Sequence, residues 1–302
     1  MLRVIDISAA QADLDLSTIA DQFDAVMIKA TGGNGYVNPN CDRHVQQAIA
    51  LGKKWGVYHY FGDGFNTADP IAEADFFIDN CAGYVGKGIL AWDWERGGNP
   101  NVNDTAMSAR GTAQIKARTG VNALNYMSLS LIRELDWSQS IAQGEGLWCA
   151  AYVLDRQPVY NFNIDPKLDP NPAWDGVVND VMWQFTSTGK LDGYGGDLDC
   201  SFFYGTQASW EAYAGTNTAM PVLSAETTTT TTEAPAPVEP EPTTTTTTTA
   251  VVVETTSTTT DSSTNTATTT STTTEPEIAK PTLWQALAIW FVAFINRLKG
   301  VK

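Results

Sequence analysis

Short apolar runs recur along the first two thirds of the chain, separated by longer stretches in which apolar residues return at helical spacing. Residues 4–8, 25–29, 55–61, 88–95, 123–127 and 147–153 read as strands. Between the second and third of them Cys41, Val45, Ala48 and Leu51 mark one face of a helix, and residues 67–80 and 103–118 are long enough for two more. This β-α-β-α rhythm implies parallel strands with covering helices, in a barrel or an open doubly wound sheet. After residue 147 the rhythm changes. Strands at 181–185 and around 198–203 follow one another through loops such as Asp165-Pro166-Lys167-Leu168-Asp169-Pro170-Asn171-Pro172. About five βα units followed by about three bare strands predict an α/β fold, a modified (β/α) barrel.

Barrels carry their reactive groups at the C-terminal ends of the strands, and Asp6, Lys29, Tyr60, Glu95 and Tyr126 fall at or near such ends. The fourth run closes on Trp92-Asp93-Trp94-Glu95. In an extended strand residues i and i+2 point to the same face about 6.6 Å apart along the chain, so Asp93 and Glu95 lean into one site. Acids so placed perturb each other's pKa, which suits acid-catalysed cleavage of a glycosidic bond. Burial against Trp92, Trp94 or other aromatics, with the charge of Asp93, is the expected means of raising Glu95 from about 4.3. Tyr58 and Tyr60 share a face. His59, on the opposite face, reads as a packed, hydrogen-bonded histidine, and Trp148 and Trp183 suit either the core or a sugar platform.

Composition divides sharply near residue 217. Residues 1–216 mix aromatic, aliphatic and charged side chains as a folded domain does, whereas residues 217–280 are dominated by Thr runs broken by Ala-Pro and Glu-Pro. Of the 18 basic and 34 acidic residues, 14 and 26 lie in residues 1–216, a net charge of −12 there. So acidic a domain disfavours the nucleic-acid backbone as a partner and fits an uncharged or mixed-charge polymer. Cys41, Cys81, Cys149 and Cys200 have neither CxxC nor Cys-His spacing, so buried thiols or one incidental bridge are expected, with no metal and no organic cofactor.

Six segments together resemble glycoside hydrolase family 25, the Chalaropsis-type lysozymes, in order and spacing over roughly residues 1–212. They are Val4-Ile5-Asp6-Ile7-Ser8-Ala9-Ala10-Gln11, Val26-Met27-Ile28-Lys29-Ala30-Thr31, Gly56-Val57-Tyr58-His59-Tyr60, Leu90-Ala91-Trp92-Asp93-Trp94-Glu95, Leu147-Trp148-Cys149-Ala150-Ala151-Tyr152 and Trp183-Gln184-Phe185-Thr186-Ser187. The resemblance implies an N-acetylmuramidase that cuts the β-1,4 bond between N-acetylmuramic acid and N-acetylglucosamine in bacterial peptidoglycan. It places the proton donor on Glu95, its partner on Asp93 and a first-strand acid on Asp6. Asp199 matches the late acid, with Asp197 as a second candidate, and Ser201 stands where the family has Asn. Lys29, Tyr58, Tyr60, Tyr126, Trp148 and Trp183 are the candidate substrate-binding residues. Attack on the oxocarbenium-like centre by a carboxylate or by the substrate's own acetamido oxygen both predict retention.

The Thr-rich stretch lacks the apolar mass to fold and reads as a disordered, extended stalk. Beyond it, residues 283–295 are apolar and aromatic and are followed by Arg297, Lys299 and Lys302. That pattern predicts an interfacial helix or a short, strained span within residues 281–302, held at a membrane or lipid envelope, because it is shorter than the roughly 20 residues of a comfortable span. The N-terminus runs straight into a strand pattern without a signal-peptide h-region. Synthesis in a host cytoplasm and action at the cell wall, as in bacteriophage endolysins, are therefore expected of a monomer. A wall-glycan-binding protein on a Thr-rich stalk is the alternative, and the acids at 6, 93 and 95 argue against it.

Overall fold

In the computed structural model, residues 1–64, 69–155, 157–172, 174 and 181–216 are described. The strands are β1 (Leu2–Ile7), β2 (Ala25–Gly32), β3 (Tyr36–Val37), β4 (Lys54–Tyr60) and β5 (Ile89–Asp93), then β6 (Leu124–Ser128), β7 (Gly146–Ala150), β8 (Val159–Tyr160), β9 (Met182–Lys190) and β10 (Leu198–Phe203). The helices are α1 (Cys41–Ala50), α2 (Pro70–Cys81), α3 (Thr105–Thr119), α4 (Leu129–Glu134), α5 (Ser138–Ala142) and α6 (Gln207–Ala214). Helix starts follow local chemistry. The Asp69 carboxylate accepts from the backbone N–H groups of Ile71 and Ala72 ahead of Pro70, and Asp104 accepts from Met107 N.

Pairing in the order β1-β10-β9-β7-β6-β5-β4-β2, with β2 returning to β1, closes a barrel of eight strands. Every barrel pairing is parallel except the two that β10 makes, with β9 and with β1. This is the modified barrel expected from the rhythm of the chain. The two-residue strands β3 and β8 flank β2 and β9 and are too short to announce themselves by alternation.

Alternation then sorts the side chains. Val4, Ala25, Met27, Ile89, Ala91, Leu124, Trp148 and Met182 fill the barrel interior, while their sequence neighbours Ile5, Val26, Ile28, Leu90, Trp92, Leu147, Cys149 and Trp183 pack outward under the helices and loops. The base is sealed by α6, whose Trp210 and Ala214 join the interior cluster and whose Trp210 Nε1 donates to the Trp55 carbonyl at 3.2 Å. Helix α3 reaches β5 closely because Gly111 faces Trp92: a Cβ there would meet the indole at 2.5 Å. All four cysteines are free and buried. The proposed stalk of residues 217–280 and the apolar tail of residues 281–302 lie outside the described residues.

One buried acid stands away from the barrel mouth. Glu145 accepts hydrogen bonds from Thr112 Oγ1 and from Asn125 Nδ2, the latter at 2.9 Å, and joins α3 to the strands behind it. Burial pushes its carboxyl up from 4.5 to about 7, against the pull of these hydrogen bonds. A carboxyl raised on folding contributes stability that is present below its unfolded pKa and lost as pH rises toward the folded value. Thermal denaturation of Glu145→Gln against the parent between about pH 4.5 and 7 is expected to show a pH-dependent difference, on the order of 3 kcal/mol across the window, favouring the variant as pH rises.

Candidate active site

Four carboxyl groups meet at the mouth of the barrel. Asp6 is the penultimate residue of β1, Asp93 closes β5, Glu95 follows just past the end of β5, and Asp199 lies near the start of β10. Asp199 reaches the same rim as the others because β10 runs antiparallel, and it sits directly across from Asp6 in the β1·β10 register. The four acids, with Tyr58, Tyr126 and Trp148, line a cavity of about 50 Å³. A second depression of about 320 Å³ runs on from Glu95 and Tyr126 past Arg96, Gly97, Ser128, Ala150 and Tyr152. Together they form a groove with the acids at its floor.

The acids are paired. Asp6 and Asp199 are hydrogen-bonded to each other, as are Asp93 and Glu95. Burial is the main cause that lifts all four. Asp6 and Asp93, the deeper members, stand well above the usual carboxylate range, Asp199 is pushed up to about 6, and Glu95 is also raised. In each pair the charge of one carboxyl opposes ionisation of the other, as Asp199 does to Asp6 and Glu95 to Asp93. The positive charge of Lys29 opposes the rise at both Asp93 and Glu95.

A polar frame holds this arrangement. Gln184, facing inward from β9, donates from Nε2 to Asp6 Oδ2 at 3.0 Å, and its Oε1 accepts from Tyr126 at 2.9 Å and Tyr152 at 2.7 Å. Trp148 Nε1 donates to Ser201 Oγ at 3.2 Å, and the ring meets Tyr126 edge-on with centroids 4.7 Å apart. Asp93 Oδ1 is buried and has no hydrogen-bond partner among the described residues. Among those residues no group of three or more His, Cys, Asp or Glu is arranged to hold a metal ion.

Several expectations need correction. Trp183 does not face the site. Because Gln184 points into the barrel, Trp183 points out, where it is fully buried against Phe185 and Phe202 and donates to the Ala151 carbonyl at 2.9 Å. The same alternation turns Trp92 and Trp94 away from Glu95, Trp94 donating to the Val102 carbonyl at 2.8 Å. The aromatics that enclose the acids are Tyr58, Tyr126 and Trp148. Asp197 is likewise excluded from the cavity and pairs with Lys190 at 2.6 Å on an exposed surface. Lys29 and Tyr60 sit at the rim instead of lining the cavity, the Lys29 ammonium lying 4.5 Å above the Tyr60 ring. His59 is packed, as expected, stacked on Trp92 and hydrogen-bonded to Thr31 and Glu73. Three site groups had not been singled out: Gln184 and Tyr152, which lie inside recognised segments, and Asp63, a loop residue that pairs with Lys29 at 2.7 Å.

Residues 5–194, more than half of the chain, match the sequence pattern of glycosyl hydrolases family 25. The chain belongs to glycosyl hydrolases family 25. Among similar family members is a lysozyme of Streptococcus phage Cp-9, 27% identical over 187 residues, covering 61% of this chain and 50% of that one. Lysozyme M1 of Streptomyces globisporus is 25% identical over 236 residues, covering 71% of each chain. The family fold is shared with the bacterial lysozyme from Streptomyces coelicolor, with a TM-score of 0.57 and 24% identity over 72% of this chain and 98% of that one. The chain spans about half the length of the phage lysozymes it matches.

The outward packing of Trp183 yields a direct test. Trp183→Ala is expected to lower the unfolding free energy by about 3–5 kcal/mol, as large-to-small core changes do. Denaturant titration of the variant against the parent checks this, and an unchanged midpoint overturns the core placement.

Proposed function

We propose that this family 25 protein is an N-acetylmuramidase that hydrolyses the β-1,4 bond between N-acetylmuramic acid and N-acetylglucosamine in bacterial peptidoglycan, with retention of configuration. The observation that carries the reading is the Asp93 and Glu95 pair in one small cavity, both raised by burial, with Asp93 Oδ1 buried and unpartnered among the described residues. An orphaned carboxylate oxygen at the floor of a glycan-sized groove suits the N–H of a sugar acetamido group. Lysozymes among the relatives support the substrate class.

The chemistry follows from those positions. Glu95 gives its proton to the glycosidic oxygen as the bond from that oxygen to C1 of muramic acid breaks. The acetamido oxygen of the same sugar attacks C1 from the opposite face, and Asp93 accepts the amide hydrogen bond and offsets the developing positive charge. Water then attacks C1, Glu95 takes a proton from it, and the ring closed by the acetamido oxygen opens. Inversion occurs twice at C1, so configuration is kept. Asp6 and Asp199 hold negative charge below the oxocarbenium-like centre, and Tyr126, Tyr152 and Gln184 fix the floor. Tyr58 and Trp148 form the wall against the sugar.

Phage lysozymes among the relatives also support a role in host lysis at the cell wall. The basic, aromatic tail of residues 281–302 is proposed as a membrane or lipid-envelope contact and residues 217–280 as its stalk. Deletion of residues 281–302 is expected to abolish sedimentation with anionic liposomes and to spare activity on isolated walls; unchanged sedimentation overturns the contact.

For the chemistry, Glu95→Gln is expected to reduce the release of new reducing ends from peptidoglycan by roughly 100- to 10,000-fold, the usual contribution of a general acid. Proton NMR of the first-formed product is expected to show the β-anomer. The α-anomer overturns the retaining route, and activity that survives the substitution overturns the role of Glu95.

A further inference from the structure

The pairing of Lys29 with Asp63 rests on three departures from regular structure. The first is a bulge in β2. Lys29 pairs with Tyr58 and Thr31 with His59, so the register slips between them. Lys29 therefore stays on the barrel-mouth side while Thr31 turns outward to hydrogen-bond His59 Nδ1 at 2.8 Å. The second is the missing side chain at Gly32. A Cβ there would lie 2.2 Å from Asp63 Oδ2, so only glycine lets the Asp63 carboxylate occupy its position. The third is Asp63 itself, held at φ +21 between Gly62 and Gly64. Glu73, buried on α2, accepts from Gly62 N at 2.9 Å and from His59 Nε2 at 3.1 Å, and so braces this loop from behind.

The fold thus concentrates unusual geometry on one ion pair. Lys29 Nζ donates to Asp63 Oδ2 at 2.7 Å, with both side chains mostly shielded at 13% and 26% exposure. The ammonium rests between two aromatic faces, 4.5 Å from the Tyr60 ring and 5.3 Å from that of Tyr36. Tyr60 in turn donates from its hydroxyl to the Gly97 carbonyl, which ties the Lys29 cage to the loop that follows Glu95. Position and charge of the cation are therefore both constrained relative to the acid pair.

We infer that Asp63 is a positioning residue: it anchors the Lys29 ammonium at the rim of the acid cluster, and the pair together sets the protonation of Asp93 and Glu95. This rests on the muramidase reading for its consequence, since Glu95 must be protonated and Asp93 ionised at the working pH. The groups facing that acid pair come from every side of the mouth. Asp6 and Asp199 add negative charge from β1 and β10, and Tyr58, Tyr126 and Tyr152 present neutral hydroxyls. Arg96, next to Glu95, is turned outward to Glu134 at 2.5 Å. Lys29 lowers both acids, and Asp63 raises Glu95 directly while pairing with Lys29 at 2.7 Å.

Opposite signs follow for the two partners, which a merely structural role does not produce. The test compares full-length parent, Asp63→Asn, Lys29→Met and Lys29→Arg in pH–activity profiles on peptidoglycan. Loss of the cation in Lys29→Met is expected to move the profile to higher pH by roughly one pH unit, the low end of what an adjacent charge does to a carboxylate. Asp63→Asn, near-isosteric, removes a negative charge and frees the ammonium to approach Glu95, so the profile moves to lower pH by a similar amount. Lys29→Arg keeps the charge and restores the parent profile. A fall in kcat with the profile unmoved in both Asp63→Asn and Lys29→Met, or movement of both in the same direction, overturns the inference. Carbon-13 NMR titration of the Glu95 carboxyl in the same proteins reads the same displacements without turnover. An inactive parent whose Glu95 titration still moves oppositely in the two variants therefore refutes the muramidase reading and sustains this one; an unmoved titration refutes this one alone.

Discussion

One antiparallel strand governs what this barrel does. A run of parallel βα units delivers only the C-terminal ends of its strands to one rim, which here supplies Asp6, Asp93 and, just beyond, Glu95. By inserting between β9 and β1 in the reverse sense, β10 closes the barrel and brings an acid from near its N-terminal end to the same rim. Asp199 then faces Asp6 across a ladder, where its charge opposes the ionisation of Asp6. The crowding of carboxyls, the small cavity above them and the raised pKa values all follow from that closure.

Four acids in a space of about 50 Å³ are stable only if their charges are limited, and the site limits them in two ways. The members of each pair oppose each other's ionisation, and the Lys29 cation that bears on Asp93 and Glu95 is itself held at the rim by Asp63. Gln184 satisfies the remaining oxygen of Asp6 while taking hydrogen bonds from two tyrosines. The result is a floor with fixed donors and acceptors and one buried carboxylate oxygen on Asp93 left for a partner from outside the described residues. Preorganisation of this kind is what a charged transition state requires.

Much of this was legible from the chain. The strand and helix rhythm specified the parallel half of the barrel, and the two-residue spacing of Asp93 and Glu95 placed them in one site. Strand phase was harder to read. A segment such as 181–185, apolar except for Gln184, carries no repeated polar alternation to say which face is inward, so Trp183 and Gln184 are told apart only when β9 is seen in its register. The bulge at Lys29 is invisible for the same reason: a one-residue slip leaves no compositional mark. Asp63 lies in a glycine-flanked loop with no periodicity at all, and its partner is fixed by the absence of a side chain at Gly32. Helices α4, α5 and α6 are too short for their apolar spacing to stand out against the loops around them.

The alternation on β5 has a further reach. Asp93 points inward to the chemistry, while Trp92 and Trp94 on either side point outward, fully buried, against His59 and Phe61. Groups selected for durability and groups selected for reactivity are interleaved one residue apart on the same rigid segment. Natural variation along this stretch is therefore confined from both sides: a change that loosens the indoles displaces the acids, and a change that re-tunes the acids must leave the indoles seated. Substitution has freer scope on the loops that frame the groove, past Ser128, where neither demand applies.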